Sequence, residues 1–329
     1  MSGSKHLNPR SRATYEIVPA TSDHGTAHRG ERFGSERAYL DSVMYPFRKI
    51  LFPVDYSNHC DAVVPYIKDM VERFSADLTL VHAYEPEALA YDELGVVITE
   101  LDHEARDRQD RRLREFALAT FPGKHVDCLA ELGEPGVVID RIVQHQGADL
   151  VMLPTHGRGV IRRFLLGSVV AKVLHDVSAA VWTGTGSALK EHTLDLPYKS
   201  ILCAVDNSDE AEIVLKAAAA LSCTYRAELW IVHVVPTPPG TLEVDYSEYR
   251  RDILDAADFR LYELKTQLGI NAPHAILDAA VAGGVREEAI RRKADIIITG
   301  RGYAQTRFER FWSSLYPIIR ESPCPVLSI

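Results

Sequence analysis

The sequence predicts an α/β protein made of two repeated doubly wound domains, each a five-stranded, mainly parallel sheet with helices on both faces. Three observations predict it. The first is a repeat: KILFPVD (Lys49–Asp55), TLVHAYEP (Thr79–Pro86) and ADLVMLPTHG (Ala148–Gly157) return as SILCAVD (Ser200–Asp206), WIVHVVP (Trp230–Pro236) and ADIIITGRG (Ala294–Gly302). Asp55 and Asp206 stand 151 residues apart, as do His82 and His233, and Asp149 and Asp295 stand 146 apart. A near-constant offset over a unit of about 135 residues marks a duplicated domain and not a solenoid repeat. The second is periodicity: short apolar runs bounded by turn residues alternate with longer amphipathic stretches, the pattern of βα units. The third is bulk: 329 residues with 46% hydrophobic and 25% charged suit about two globular domains.

The elements follow in order. Residues 1–44 are rich in Ser, Gly, Arg and His and poor in aliphatic clusters, so they read as a flexible tail that cannot bury enough apolar surface to order itself. His6, His24 and His28 fit no metal-ligand spacing. The first domain, residues 45–184, has strands near Lys49–Val54, Leu78–Ala83, His125–Ala130, Leu150–Leu153 and Ala180–Thr183. Its helices run over about Asn58–Phe74, Thr99–Ala119, Pro135–His145 and Ser168–Asp176. Val63, Val64, Ile67, Val71 and Phe74 give the first helix its apolar stripe. Thr99–Ala119 mixes charges of both signs at i, i+3 and i, i+4 spacing and reads as a solvent-exposed, ion-paired helix. A polar linker, 185–197, leads to the second domain, 198–329. Its strands fall near Ser200–Val205, Glu228–Val234, His274–Asp278, Ile296–Thr299 and Pro325–Ser328.

Several function classes are disfavoured. A net charge of −9 argues against a general nucleic-acid binder. No apolar run approaches the ~18 residues of a membrane span, and no signal-peptide block precedes the tail. Cys60, Cys128, Cys203, Cys223 and Cys324 form no CxxC pair and read as reduced, mostly buried thiols of a cytoplasmic protein.

In an open parallel sheet, ligands bind at the carboxyl ends of strands where the strand order reverses. Three segments of the first domain meet there: Pro53-Val54-Asp55, the strand end near Val81, and Pro154-Thr155-His156-Gly157 with Gly167-Ser168 closing it onto a helix. Glycines let a backbone approach phosphate, and Ser168 at a helix start adds a hydroxyl near the positive end of the dipole. Arg158, Arg162 and Arg163 make the intervening loop basic within an acidic chain, a combination suited to a polyphosphate. Each element also has an ordinary reading: Asp55 or Ser57 as a helix cap, Gly167-Ser168 as a turn and cap, and the arginines as a solvated face. His82 and His233 recur at equivalent strand ends without a repeated nucleophile, which reads as a shared structural position.

These residues carry a resemblance. Both halves, about Phe47–Thr183 and Tyr198–Ile329, resemble the universal stress protein domain of the adenine-nucleotide α-hydrolase-like group. Its nucleotide-binding members show Gly, two residues, Gly, nine residues, then Gly and Ser or Thr. The first half matches with Gly157, Gly167 and Ser168, while Pro154 stands in the first glycine's place. The resemblance implies that Asp55, beside Pro53 and Val54, contacts the adenosine and Val81 the adenine. It implies too that Leu153 and Pro154 line the nucleoside and that Gly157, Gly167, Ser168 and Val169 surround the phosphates. Proline fixes φ and lacks an N–H; it is incompatible if a positive φ is required at residue 154 and tolerated if only a small residue with a free carbonyl is. The second half departs further. Gly300 keeps the first glycine, Tyr303 replaces the second, Ser313 replaces the third and Ser314 keeps the hydroxyl, with Val205, Asp206 and Val232 completing a weaker site.

The resulting expectation is a tandem universal stress protein that binds ATP or a related adenine nucleotide in its first domain, with Mg²⁺ held mainly by the phosphates. No general base with an orienting partner is apparent, so the expectation is a regulator with at most slow hydrolysis. The rivals are a scaffold of the same fold without nucleotide and an adenylate-chemistry enzyme. The latter needs SGGxDS-like or HxGH-like loops, which Asp55–Asn58 and Asp206–Asp209 do not resemble. The resemblance also implies pairing through fifth strands, within the chain as a pseudo-dimer or between chains as a homodimer.

Overall fold

The computed structural model describes residues 15–16, 47–85, 99–156, 166–184, 196–208, 210–236, 247–301 and 314–329. After β1 (Tyr15–Glu16), the first repeat runs β2 (Lys49–Pro53), α1 (Asn58–Phe74), β3 (Asp77–Tyr84), α2 (Thr99–Thr120), β4 (Val126–Leu132), α3 (Pro135–Gln146), β5 (Leu150–Pro154), α4 (Ser168–Asp176) and β6 (Ala180–Gly184). The second runs β7 (Ser200–Val205), α5 (Ala211–Tyr225), β8 (Glu228–Pro236), α6 (Ser247–Gln267), β9 (His274–Ala279), α7 (Val281–Arg292), β10 (Ile296–Thr299), α8 (Tyr316–Glu321) and β11 (Val326–Ser328).

Local chemistry sets several boundaries. Ser57 caps α1 by accepting from the Cys60 amide at 3.2 Å, and the helix stops where Ser75 turns left-handed at φ 52°. Glu134 caps α3, accepting from the Gly136 and Val137 amides at 3.0 Å each, and Pro135 sits in the first turn, where a missing N–H costs nothing. The strands β5, β6 and β7 are buried along their whole length, which is why they read as unbroken apolar runs. The α2 reading needs correction: Leu113 is fully buried and Ala117 nearly so, and Asp110 accepts from the Ala130 amide of β4 at 3.2 Å. One face of this charged helix therefore belongs to the core. Tyr15 and Glu16, from the segment read as a flexible tail, pair antiparallel with Ile276 and Ala275 of β9, whose open ladder offers them partners.

All strands join one eleven-stranded sheet in the order β1-β9-β8-β7-β10-β11-β6-β5-β2-β3-β4. Within each repeat the pairs are parallel, but β11 and β6 meet antiparallel, with Val326, Leu327 and Ser328 opposite Thr183, Trp182 and Val181. The fifth strands thus pair inside the chain. Each has a neighbour on both sides, so neither offers a ladder to a second copy. Two core layers cover the sheet, and both run through both repeats: α1, α2, α5 and α6 lie on one face and α3, α4, α7 and α8 on the other.

An aromatic cluster locks the seam. Trp182 of β6 is fully buried and donates through its indole N–H to the Tyr198 hydroxyl at 3.1 Å. Ring centroids lie 5.0 Å apart for Tyr66 and Trp182 and 4.8 Å for Tyr198 and Tyr225. The Tyr225 hydroxyl donates to Asp69 of α1 at 2.5 Å, and the Arg73 guanidinium lies 4.3 Å from the Tyr225 ring.

At the far end of the second repeat, His274 lies 2.8 Å from Lys265 Nζ through Nδ1 and 2.9 Å from Asp258 Oδ1 through Nε2. Burial and then the Lys265 charge hold His274 below its ordinary value, against the pull of Asp258. The folded chain therefore binds this proton less readily than the unfolded chain. The contribution is fully present above the ordinary imidazole value of 6.5 and is lost as pH falls from there through the lowered folded value.

Two outcomes follow. Trp182→Ala is expected to lower unfolding free energy by about 3–5 kcal/mol, read from urea titrations. Acidification from about pH 7.5 to about 5.5 is expected to depress the melting temperature more in the wild-type chain than in His274→Gln; equal shifts in the two would exclude His274 as the source.

Candidate functional site

Each repeat has the same strand order, third-second-first-fourth-fifth, so the order reverses between β2 and β5 and again between β7 and β10. These reversals open two mouths at the carboxyl ends of the strands. Because β6 and β11 are antiparallel, the two mouths face opposite edges of the sheet.

At the first mouth, Pro53 ends β2 half-buried, and Val54 donates to the Val81 carbonyl at 2.8 Å. The Val54 carbonyl lies 2.7 Å from Nδ1 of buried His82. Asp55 accepts from the Ser57 amide at 2.9 Å through Oδ1, so its first role is to shape the turn into α1. Val81 and Leu153 are buried, and Pro154 ends β5 opposite Gly184 of β6. Thr155 is buried and bonds the Gly184 carbonyl through its amide at 3.0 Å and its hydroxyl at 3.3 Å. Its own carbonyl accepts from the Gly167 amide at 3.0 Å. The chain thus returns to the end of β5 before starting α4.

That closure shows how Gly167 is used. The Gly167 N–H is spent on Thr155, and its φ is −60°, so this glycine serves close approach and not a left-handed turn. A Cβ there would stand 3.3 Å from the Thr155 carbonyl oxygen. The chain approaches α4 extended at Gly167, no side chain caps the helix, and Ser168 is exposed with Val169 half-buried behind it. The first-turn amides of α4 therefore have no intrahelical acceptor, the arrangement that favours an anion. Gly157 and the arginines 158, 162 and 163 lie outside the described residues. Pro154 is the last residue of β5, and its counterpart Gly300 is not among the positive-φ glycines, so this position does not call for a left-handed backbone.

At the second mouth the structure holds a cavity of about 250 Å³, just below the usual range for small-molecule sites. Val205, Asp206, Val232, Gly300 and Ser314 line it, as the sequence leads one to expect; Ser313, Gly302 and Tyr303 lie outside the described residues. Glu210 was not foreseen. Its carboxylate also lines the cavity, 3.4 Å from where a Cβ on Gly300 would stand. The helix here, α8, has six residues, and Leu315 before it is already helical at φ −64°, ψ −48°.

The recurring residues prove to be structural in both repeats. Asp149 accepts from the Arg48 and Lys49 amides at 2.8 and 3.1 Å, and Asp295 accepts from Lys199 and Ser200 at 2.6 and 2.9 Å. Asp206 accepts from the Ser208 amide at 3.0 Å, as Asp55 does from Ser57. His233 lies 2.9 Å from the Val205 carbonyl, as His82 does from Val54. Tyr56, unforeseen, sits at φ 57° in the first mouth with its ring 4.8 Å from His82 and with the Arg112 guanidinium 4.0 Å from it. Its signal was the bulky residue directly after Asp55. Cys60, behind this turn, is pushed by burial up to about 12, which keeps it an unreactive thiol.

A model of the Universal stress protein family matches residues 46–183 and 197–329. The Thermus aquaticus "universal stress protein in QAH/OAS sulfhydrylase 3′region" is 30% identical over 135 residues, covering 41% of this chain and 96% of that protein. The crystal structure of a universal stress protein from Archaeoglobus fulgidus DSM 4304 is similar at 21% identity and a TM-score of 0.58, over 86% of this chain and 96% of that one. A functionally unknown protein of Pseudomonas aeruginosa PAO1 is similar at 13% identity and a TM-score of 0.59, over 89% of this chain and 94% of its own. These two likenesses show the shared fold. Among the described residues no helix is long and apolar enough to cross a membrane.

Ser57→Ala removes the α1 cap beside the first mouth and is expected to cost about 1 kcal/mol, read as a lowered denaturation midpoint.

Proposed function

The chain belongs to the universal stress protein family, and from that premise we propose that its first repeat binds ATP or a related adenine nucleotide as a regulatory ligand. The observation that carries the reading is the convergence of Val54-Asp55, Val81 and Leu153-Pro154 with the uncapped start of α4 at one strand-order reversal. Val81 and Leu153 offer apolar walls to a base and sugar. The exposed Ser168 hydroxyl and the amides of α4 offer donors to phosphate, and the helix dipole adds a favourable field there. In this reading Asp55 and Pro53 border the nucleoside, and Gly157, Gly167, Ser168 and Val169 border the phosphates, whose oxygens carry Mg²⁺. The role is regulatory, with hydrolysis slow at most. Pro53 to Asp55 and Ser168 hold no base with an orienting partner aimed at a water.

The second repeat serves chiefly as a structural partner in this reading, because Tyr303 and Ser313 replace the second and third glycines of the loop pattern. A scaffold without nucleotide is the alternative, favoured by the Gly167 amide being committed to Thr155.

Mass spectrometry of gently purified protein is expected to detect a retained adenine nucleotide. Saturating Mg-ATP, at about 100 times its Kd, is expected to stabilise the fold by about 2.7 kcal/mol. The Gly157→Val, Gly167→Val double variant is expected to lose both effects while still melting cooperatively. Undiminished retention by that variant would place the ligand elsewhere, and the absence of binding heat and thermal shift in the wild-type chain would establish the scaffold.

A further inference from the structure

Helix α4 is a strut between the two mouths. Its nine residues span about 13 Å, comparable with the length of the strands it covers. It begins at the first mouth, and its end leads into β6 at the edge where the second mouth opens. Residues of the second repeat hold it at both ends. Tyr316 accepts through its hydroxyl from the Leu166 amide at 3.0 Å, one residue before Gly167. Arg301 donates through its two terminal nitrogens to the carbonyls of Val177 and Ala179, at 2.9 and 2.7 Å, and Val177 is the C-cap of α4.

Both residues belong to the second mouth. Arg301 follows Gly300 and lines the cavity, and its own amide is fixed to the Ile329 carbonyl at 3.2 Å. Tyr316 follows the cavity residues Ser314 and Leu315. The guanidinium at the carboxyl end of α4 complements the negative end of its dipole, leaving the positive end directed to the first mouth. The described counterparts of these two residues make no such contacts. At the repeat offset of 146, Arg301 corresponds to Thr155, which bonds Gly184 of its own repeat, and Tyr316 corresponds to Val170, which has no polar side-chain atom.

We propose that Arg301 and Tyr316 are positioning residues through which the second repeat sets α4, and with it the phosphate end of the first repeat's nucleotide site. The inference rests on nucleotide binding by the first repeat. It assigns the second repeat a role in affinity beyond bulk packing. Since α4 meets only the phosphates, the effect falls on phosphorylated ligands: losing the clasp weakens ATP and leaves adenosine unchanged.

The test compares Mg-ATP and adenosine by calorimetry on the full chain. Wild type, Tyr316→Phe, Arg301→Gln and Arg301→Lys are measured, with melting curves as controls. The expected result is a Kd for Mg-ATP raised roughly fivefold by Tyr316→Phe and roughly tenfold by Arg301→Gln, within the ordinary range of coupling between sites. Arg301→Lys, which keeps one charged donor, is expected to recover part of the loss, and adenosine binding to stay unchanged throughout. Unchanged ATP affinity in both Tyr316→Phe and Arg301→Gln overturns the proposal. Equal weakening of ATP and adenosine also overturns it, since that marks general loosening of the domain. Should Arg301→Gln not fold, Tyr316→Phe decides, because it removes a single hydroxyl. A wild-type chain that binds neither ligand fails the nucleotide reading itself, an outcome distinct from wild-type binding that the variants share.

Discussion

The antiparallel pairing of β6 with β11 is the constraint on which the rest of the molecule depends. It turns two five-stranded sheets into one, makes both helical layers continuous, and reverses strand direction at the middle. The reversal sends the two ligand mouths to opposite edges of the sheet. An isolated first repeat would present β6 as an unpaired edge with Trp182 no longer enclosed, and such an edge is an aggregation hazard. Instead Trp182 is fully buried and hydrogen bonded to Tyr198, at the threshold of the second repeat. The seam is asymmetric in chemistry although it joins two similar folds. By strand register Leu327 stands where the first repeat has Trp182, while the counterparts Thr183 and Ser328 donate to the Val326 and Val181 carbonyls at 3.4 and 3.1 Å.

Duplication has preserved the backbone solutions and released the loops. Asp149 and Asp295 satisfy the first amides of β2 and β7, Asp55 and Asp206 shape the turns after those strands, and His82 and His233 tie the second strands to those turns. Each removes a buried or half-buried polar group from want of a partner, a cost that would otherwise reach about 1–3 kcal/mol. Such residues hold the mouths open whatever the ligand. The residues that differ between repeats, Pro154 against Gly300 and Gly167 against Ser313, lie where a ligand would be met. Recurrence therefore identifies the frame, and divergence identifies the places where function was free to change.

Most of the frame was legible in the sequence for this reason. Apolar runs located the sheet strands because parallel strands are covered on both faces, and α1 and α4 were bounded correctly because their ends carry local signals. Strand ends were less legible: β8 runs on to Pro236 because β9 continues beside it, a contact between distant segments. The buried face of α2 escaped notice because Leu113 and Ala117 are small islands in a strongly charged helix. Fifth-strand pairing within the chain and between chains use the same edge chemistry, so only the fold could decide between them. At the first mouth, Pro53 and Pro154 end β2 and β5 within a residue of where the sequence predicts, while β3 runs past Val81 to Tyr84. The engagement of the Gly167 amide by Thr155 depends on how the loop closes, which spacing does not encode.

The two mouths also differ in the residues around their helix starts. At α4 the chain arrives extended at Gly167, and the first-turn amides have no intrahelical acceptor. At α8 the counterpart of Gly167, Ser313, lies outside the described residues, and a carboxylate, Glu210, stands beside Gly300. A phosphate gains from helix-start amides within about one turn of the helix N-terminus. The second mouth keeps apolar walls in Val205, Val232 and Val285. Its loop ends are instead occupied by the first repeat, with Arg301 on the carbonyls beyond α4 and Tyr316 on the amide before it. An arginine in that loop is better explained by the carbonyl end of a neighbouring helix than by a ligand of its own.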